Sequence, residues 1–444
     1  MKFSKQNPQK TLHLVSLGCT KNLVDSEVML SKLKEYKLID DATIADVLIV
    51  NTCGFIESAK QESINTVLDI DDNRKEDSVL VMAGCLSERY KEELQKELIE
   101  VDIFTGVGDY DKIDQLVNEK RSNFSEEVFL QTDENERIIS GSSYHAYIKL
   151  SEGCNQTCSF CAIPSFKGKL FSRTLPSLIK EVKNFVSRGY FDFSFVSQDS
   201  SSYLRDHGIN DGLEQLIAEI DKIEGVRSAK ILYLYPSTTT LTLIEKIKNS
   251  TKFVNYFDMP LQHISAGVLK IMKRGKGVEK LQELMNTMRE VPNSFVRTTF
   301  IVGHPGESQD DFDELCNYVK EFKFDRANVF SYSDEEGTSA YENLDKVPQE
   351  LIDLRAQTLG DIISETTQAS LEAEIGKTFE IVVDGESDEH EYLLSARKLL
   401  WAPDIDGEIY INDNEIQGQI KFGKVYTAKI TELAGDKLLG TIIK

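Results

Sequence analysis

Short apolar runs alternate with helical periodicity along the first 120 residues. Residues 12–17, 47–50, 79–83 and 103–105 are brief and rich in Val, Ile and Leu, as buried strands are. Between them, residues 22–36, 57–70, 88–99 and 110–117 carry the texture of helices. In the first, Val24, Val28, Leu30 and Leu33 fall roughly at helical spacing. This alternation predicts a parallel sheet covered by helices over residues 1–125. Residues 126–143 are polar and read as a linker or edge segment. Six further strands are expected at 146–150, 193–197, 229–234, 255–259, 295–302 and 327–331, with helices such as 178–188, 213–223 and 309–322 between them. Six such units predict a partial (βα)6 barrel, open on one side, over residues 140–374. Residues 351–374 read as a linking helix. From Gly376 the texture changes to short strands at 379–383, 391–394, 407–411, 425–430 and 438–443, with Asp-Gly and Asn-Asp turn signals. They predict a small closed antiparallel β-barrel over residues 376–444. The fold class is an α/β multidomain protein.

A chain of 444 residues, 40% hydrophobic and 28% charged, has room for two or three domains with their own cores. It contains no apolar run long enough to span a membrane. Residues 1–10 are polar and lack the apolar centre of a signal peptide. A cytoplasmic protein with no membrane partner is expected. The seven cysteines, an odd number in a long chain, point to reduced thiols rather than a disulfide framework. The net charge of −23 speaks against a nucleic-acid partner, because such affinity comes largely from neutralising phosphates. It favours a basic partner steered in by long-range attraction. Keeping the chain soluble would account for the acids equally well.

Six of the seven cysteines form two sets of three. Cys154, Cys158 and Cys161 lie in Glu152-Gly153-Cys154-Asn155-Gln156-Thr157-Cys158-Ser159-Phe160-Cys161, with no fourth Cys or His nearby. Structural zinc usually takes four such ligands, although a small zinc or redox loop remains the plain alternative. Thiolates also hold iron–sulfur cubanes, one per iron, and three would leave one iron open to a non-protein ligand. Cys19, Cys53 and Cys85 each follow one of the first three strands, 34 and 32 residues apart. Ligands of open α/β sheets gather at the carboxyl ends of strands, so these sulfurs should converge on a second site. Cys316 lies mid-helix among Phe312, Leu315, Val319 and Phe322, and reads as a buried apolar thiol.

Other strand ends in the central region are also polar: Ser197-Gln198-Asp199, Met259-Pro260-Leu261-Gln262-His263 and Gly303-His304-Pro305-Gly306-Glu307. A polar residue there is often only a helix cap. Gln198, Arg297 and Gly303 are the candidates for contacting a small cofactor, Arg297 by pairing with its carboxylate. His263 and His304 are candidate acid–base groups. The last domain concentrates Asp384, Glu386, Asp388, Glu389 and Glu391 in one loop, and its single tryptophan, Trp401, sits near Arg397 and Lys398. That surface suits RNA poorly.

The Cys-x3-Cys-x2-Cys stretch resembles the radical S-adenosylmethionine (SAM) enzymes, in which the open iron chelates SAM. The three-part order resembles the methylthiotransferase family, whose last domain is a TRAM barrel, over nearly the whole chain. The resemblance implies that Cys154, Cys158 and Cys161 hold a SAM-cleaving 4Fe–4S cluster. It implies that Cys19, Cys53 and Cys85 hold an auxiliary 4Fe–4S cluster that carries the sulfur to be transferred. Residues 16–27 (SLGCTKNLVDSE) and 163–168 (IPSFKG) resemble the RimO-type branch, which modifies an aspartate of small-subunit ribosomal protein twelve. Thr20 and Lys167 stand where that branch usually has proline and arginine. The implied chemistry is SAM cleavage, hydrogen abstraction from the aspartate β-carbon, and transfer of a sulfur methylated by a second SAM. The implied partner is ribosomal protein twelve, free or in the small subunit, met by a monomer; the electron donor and sulfur source are not implied. Two rival readings stand beside this one: a tRNA adenosine methylthiotransferase with the same chemistry, and a non-catalytic cluster or zinc protein that binds ribosomes.

Overall fold

The structure, a computed structural model, describes residues 9–275 and 277–444. Most of the polar stretch 1–10 lies outside the described residues. The first unit runs β1 (Thr11–Ser16), α1 (Thr20–Lys32), β2 (Lys37–Leu38), β3 (Val47–Thr52), α2 (Glu57–Asn73), β4 (Val79–Gly84), α3 (Cys85–Arg89), α4 (Lys91–Glu97), β5 (Ile103–Phe104) and α5 (Ile113–Glu119). Its five strands pair in parallel in the order β2-β1-β3-β4-β5. β3 and β4 are buried along their whole length, which is why they read as unbroken apolar runs. The single helix expected at 88–99 is instead two short ones, broken at Tyr90, whose φ of −125° is not helical.

The expected linker is not a free connection. Gln131 and Arg137 are buried, and Arg137 reaches Glu27 of α1 at 2.5 Å and Glu181 at 2.7 Å. The segment reads as polar because its charges are spent on these buried partners.

The central unit contains β6 (His145–Lys149), β7 (Ser151–Glu152), α6 (Ile163–Lys167), β8 (Phe171–Ser172), α7 (Leu175–Ser187), β9 (Asp192–Val196), α8 (Gly212–Ile220), β10 (Ser228–Ile231), α9 (Leu241–Lys248), β11 (Tyr256–Asp258), α10 (Ala266–Ile271), α11 (Val278–Glu290), β12 (Phe295–Val302), α12 (Gln309–Phe322) and β13 (Arg326–Ser331). β10-β9-β6 and β11-β12-β13 form two parallel sheets. They are joined by a bridge between Ala229 and Phe253 and a bond from Leu234 N–H to the Asp258 carbonyl. All six expected strands are present, in a barrel open between β6 and β13. Its core includes Cys316. Helix α1 of the first unit packs on β6.

The last unit follows α13 (Gln349–Glu372) with β14 (Thr378–Glu386), β15 (Leu394–Lys398), β16 (Ile409–Asn414), β17 (Lys424–Ala434) and β18 (Lys437–Ile443). They close in the order β14-β15-β16-β18-β17. The expected antiparallel barrel needs one correction, because β16 and β18 pair in parallel. The strand expected at 391–394 lies at Leu394–Lys398. It was hidden because Arg397 and Lys398 are buried charges, paired to Asp192 and Glu374.

This barrel plugs one end of the central one. Arg397 meets Asp192 at 2.6 Å, Ser228 Oγ donates to the Leu399 carbonyl at 3.2 Å, and Arg326 Nε donates to the Asp406 carbonyl. Asp192, Ser228 and Arg326 each begin a central strand, so the N-terminal mouth is the covered one. Trp401 is 2% exposed and packs near Phe295, the first residue of β12. Among the described residues, no helix is long and apolar enough to cross a membrane.

Candidate active site

β1, β3 and β4 are neighbours in one parallel sheet, so their carboxyl ends share a rim. Cys19 caps α1, Cys53 follows β3 directly, and Cys85 opens α3. Gly18 adopts φ +82°, and a Cβ there would lie 2.7 Å from the Cys53 Cβ and 2.8 Å from its sulfur. Only glycine lets the Cys19 loop pass this close. A single buried amide ties the three loops together. Asn22 Nδ2 donates to the carbonyls of Leu17 and Thr52, both at 3.1 Å, and its Oδ1 lies 3.6 Å from the Cys85 sulfur. Burial pushes the Cys53 thiol up to about 11 and the Cys85 thiol to about 12. The surrounding protein alone therefore keeps these sulfurs protonated. A positively charged metal centre is what would hold them as thiolates.

The second trio lies at the open, C-terminal mouth of the central barrel. Its loop is pinned by Cys154 N–H to the Gly168 carbonyl at 3.1 Å, Ser159 N–H to the Met272 carbonyl at 3.0 Å, and Ser159 Oγ against His304 Nε2 at 3.0 Å. All three cysteines line a cavity of about 230 Å³. Arg274 stacks on Tyr235, and both approach the Cys158 sulfur, at 3.4 and 3.6 Å. Burial pushes Cys154 and Cys161 up to about 12. Among the described residues, no three Cys, His, Asp or Glu side chains converge as ligands of a single metal ion. A cubane asks for something wider, one thiolate on each of three irons. The cavity wall also carries two buried amide oxygens without partners, Gln198 Oε1 and Gln262 Oε1. Buried acceptors of this kind ask for a donor. The ammonium and adenine amino groups of SAM are donors of the right kind.

The two trios approach each other through Phe55 and α6. Phe55, two residues after Cys53, lines the 230 Å³ cavity and an adjoining one of about 140 Å³. Phe160, Gln262 and Thr299 line both as well. Cys85 packs in one apolar cluster with Ala162 and Phe166, just beyond Cys161. Under this contact lie four buried charges. Lys149 Nζ is 2.5 Å from Asp25 and 2.7 Å from Glu152, and Lys167 Nζ is 3.5 Å from each of these carboxylates. Burial pushes the Glu152 carboxyl up, but Lys149 and Lys167 outweigh it and hold its pKa at about 2. Lys21 lies 3.6 Å over the Tyr233 ring. Burial opposes its charge, yet Tyr233, Cys19, Glu152 and Asp258 keep its pKa above the ordinary value.

Of the candidate SAM contacts, Gln198 stands on the cavity wall, where its amide donates to Glu152. Arg297 does not reach the cavity. It is the third residue of β12, near the plugged mouth, 3.2 Å from Asp258 and 3.5 Å from Asp406 of the C-terminal barrel. Gly303 (φ +81°) is pressed against α13, where a Cβ would lie 2.4 Å from Ile352. In this structure Arg297 is engaged by protein carboxylates and Gly303 by α13. Burial depresses His263 and His304 to about 4, so both are neutral. They serve as buried hydrogen-bond partners of Ser265 and Ser159. Tyr233 and Gln262, both at the wall, hold positive φ of 64° and 71° without being glycine. Such strain gathers at functional sites. Gln262 belongs to a strand end the sequence marks as polar, whereas nothing local distinguishes Tyr233, Phe55 or Arg274.

Three family models match the chain: Uncharacterized protein family UPF0004 at residues 11–106, the Radical SAM superfamily at 148–319 and the TRAM domain at 375–443. Ribosomal protein uS12 methylthiotransferase RimO of Aliarcobacter butzleri (strain RM4018) is 74% identical over 100% of both chains. The protein of that name from Sulfurimonas denitrificans is 64% identical, over 97% of this chain and 98% of its own. Among solved structures, the radical S-adenosylmethionine methyltransferase TsrM from Kitasatospora setae, with tryptophan substrate and a SAM analogue bound, superposes with a TM-score of 0.54. The match covers 72% of each chain at 13% identity, a likeness of fold.

Proposed function

The chain belongs to the ribosomal protein uS12 methylthiotransferase family, and we propose that its two cysteine trios divide that family's reaction between them. The protein is a radical SAM enzyme that adds a methylthio group to an aspartate of ribosomal protein uS12. In this reading the methylthio group goes to the aspartate β-carbon. The observation that supports the division of labour is the position of the trios. One faces the cavity at the open mouth of the central barrel, and the other reaches the same wall through Phe55 and α6.

When bound, the two 4Fe–4S clusters and SAM supply the radical, the sulfur and the methyl group. The chain's own residues hold, orient and shield. Cys154, Cys158 and Cys161 would hold the SAM-cleaving cluster, and Cys19, Cys53 and Cys85 the auxiliary one. Gln198 and Gln262 would accept hydrogen bonds from SAM. Phe55, Phe160 and Tyr235 supply apolar wall that keeps water from reactive carbon. Asn22 keeps the auxiliary loops in register. The units at 1–125, 140–374 and 376–444 would act as sulfur-bearing domain, radical domain and plug. The net charge of −23 suits a basic ribosomal protein, taken up free or in the small subunit, better than it suits the phosphates of tRNA. A cytoplasmic monomer is the corresponding setting.

The test is anaerobic reconstitution with iron and sulfide, then turnover with SAM, a one-electron reductant such as dithionite, and uS12 or tRNA, read by mass spectrometry. Wild type should add the methylthio group to one aspartate. C154A should form neither 5′-deoxyadenosine nor product. C53A should still form 5′-deoxyadenosine but no methylthio product. Methylthio product from C53A would show that the auxiliary trio is misassigned, and modification of tRNA instead of uS12 would overturn the substrate.

A further inference from the structure

We propose that Lys21 binds the side-chain carboxylate of the target aspartate and so selects an acidic side chain for modification. This rests on the reading that a protein aspartate is the substrate. Lys21 lies in the first turn of α1, two residues after Cys19. Its ammonium sits 3.6 Å above the ring of Tyr233, which lines the cavity of the other trio. One side chain therefore runs from the sulfur-bearing rim to the wall of the radical-generating cavity, and the substrate carbon has to lie between those two places.

The other cations around this junction are already occupied. Lys149 and Lys167 share Asp25 and Glu152. Arg274 donates to the carbonyls of Leu261 and Pro260 and approaches the Cys158 sulfur. Arg297 is paired with Asp258 and Asp406. Among the described residues, Lys21 alone of this group makes no hydrogen bond or ion pair, and the residue is not fully buried. The nearby acids have direct partners of their own: Glu152 is held by two lysines and Gln198, and Asp258 by Arg297 and the Tyr233 N–H.

The chemistry asks for such a group. A carboxylate brought beside apolar walls is costly unless it meets a cation, and a charge-assisted hydrogen bond also fixes the carbon next to it. The Tyr233 platform is itself anchored, with φ +64° and its N–H 3.0 Å from Asp258. An amide or a nucleobase in the same place would leave the ammonium without a counter-charge.

The test uses cluster-loaded wild type, K21M and K21R with two forms of uS12, one bearing the target aspartate and one bearing asparagine there. Wild-type modification of the aspartate form is the control for the function. The aspartate-over-asparagine preference of the variants tests Lys21, so the two failures are separable. K21M should keep its iron and its basal 5′-deoxyadenosine formation. Its kcat/KM on the aspartate form should fall about tenfold to hundredfold, with the preference for aspartate shrinking by the same factor. K21R should retain part of both. K21Q, closer in shape, carries the same test should K21M lose iron. A preference unchanged from wild type, or loss of iron in both K21M and K21Q, would overturn the proposal.

Discussion

Asp25 of α1 and Lys149 of β6 join the first unit to the central barrel, and a double-mutant cycle on them measures how strongly. Two carboxylates and two ammoniums, none more than 4% exposed, make a neutral group within 2.5 to 3.5 Å. Asp25→Asn leaves one uncompensated positive charge in the interior, and Lys149→Met leaves one uncompensated carboxylate. Each single change should cost about 3–5 kcal/mol. The double variant again has one lysine and one carboxylate, Lys167 and Glu152, and is neutral. Replacing a whole buried pair is often nearly neutral, so its loss should stay within about 2 kcal/mol of wild type. The coupling energy should therefore be at least about 4 kcal/mol. Urea unfolding of anaerobic, cluster-loaded protein, followed by circular dichroism, gives all four corners of the cycle. A double variant as unstable as the sum of the singles would refute the reasoning, because the two charges would then not depend on each other.

Gly18→Ala places a Cβ into the Cys53 side chain at a backbone angle alanine rarely adopts, so that trio should lose its cluster. Iron analysis should find about four fewer irons per chain, with 5′-deoxyadenosine formation retained; full iron content would contradict the packing. Burial depresses His145 to about 3, so stability tied to it is full above the unfolded value near 6.5 and is lost as pH falls towards 3. Glu307, raised by burial to about 7, and Asp384 and Asp406, raised to about 6, act in the opposite sense: their stability is greatest at low pH and is lost as pH rises through those values. These carboxyls are the same in the parent and in a His145 variant, so they cancel in a comparison of the two. Replacing His145 with Gln should therefore gain about 1.4 kcal/mol over the parent on going from pH 7.5 to 5.5. Equal pH dependence of the two urea midpoints would show that His145 is not held neutral.

Local pattern was enough for the elements and for singling out the six cysteines of the candidate site. Val47 to Val50 and Val79 to Ala83 are unbroken apolar runs because both faces of these strands are covered, and period alone reports that. Three cysteines after three neighbouring parallel strands must share a rim, so topology turned spacing into proximity. The failures share one cause. Arg297 reads in the sequence as a free cation, but the C-terminal barrel brings Asp406 to it. Arg397 and Lys398 concealed a strand, and Arg137 made a buried tie look like a linker, because their counter-charges lie on other elements, those of Arg397 and Arg137 more than a hundred positions away.

The amino-acid order by itself determined the three-part architecture, the two sulfur trios and the acidic balance, since each depends on neighbours or on counting. Only the folded chain decided which mouth of the central barrel is plugged, which charges are spent on burial, and that Lys21 is left over. Arg137, Lys149 and Arg397 each find a buried partner more than a hundred positions away, and no local periodicity carries that information.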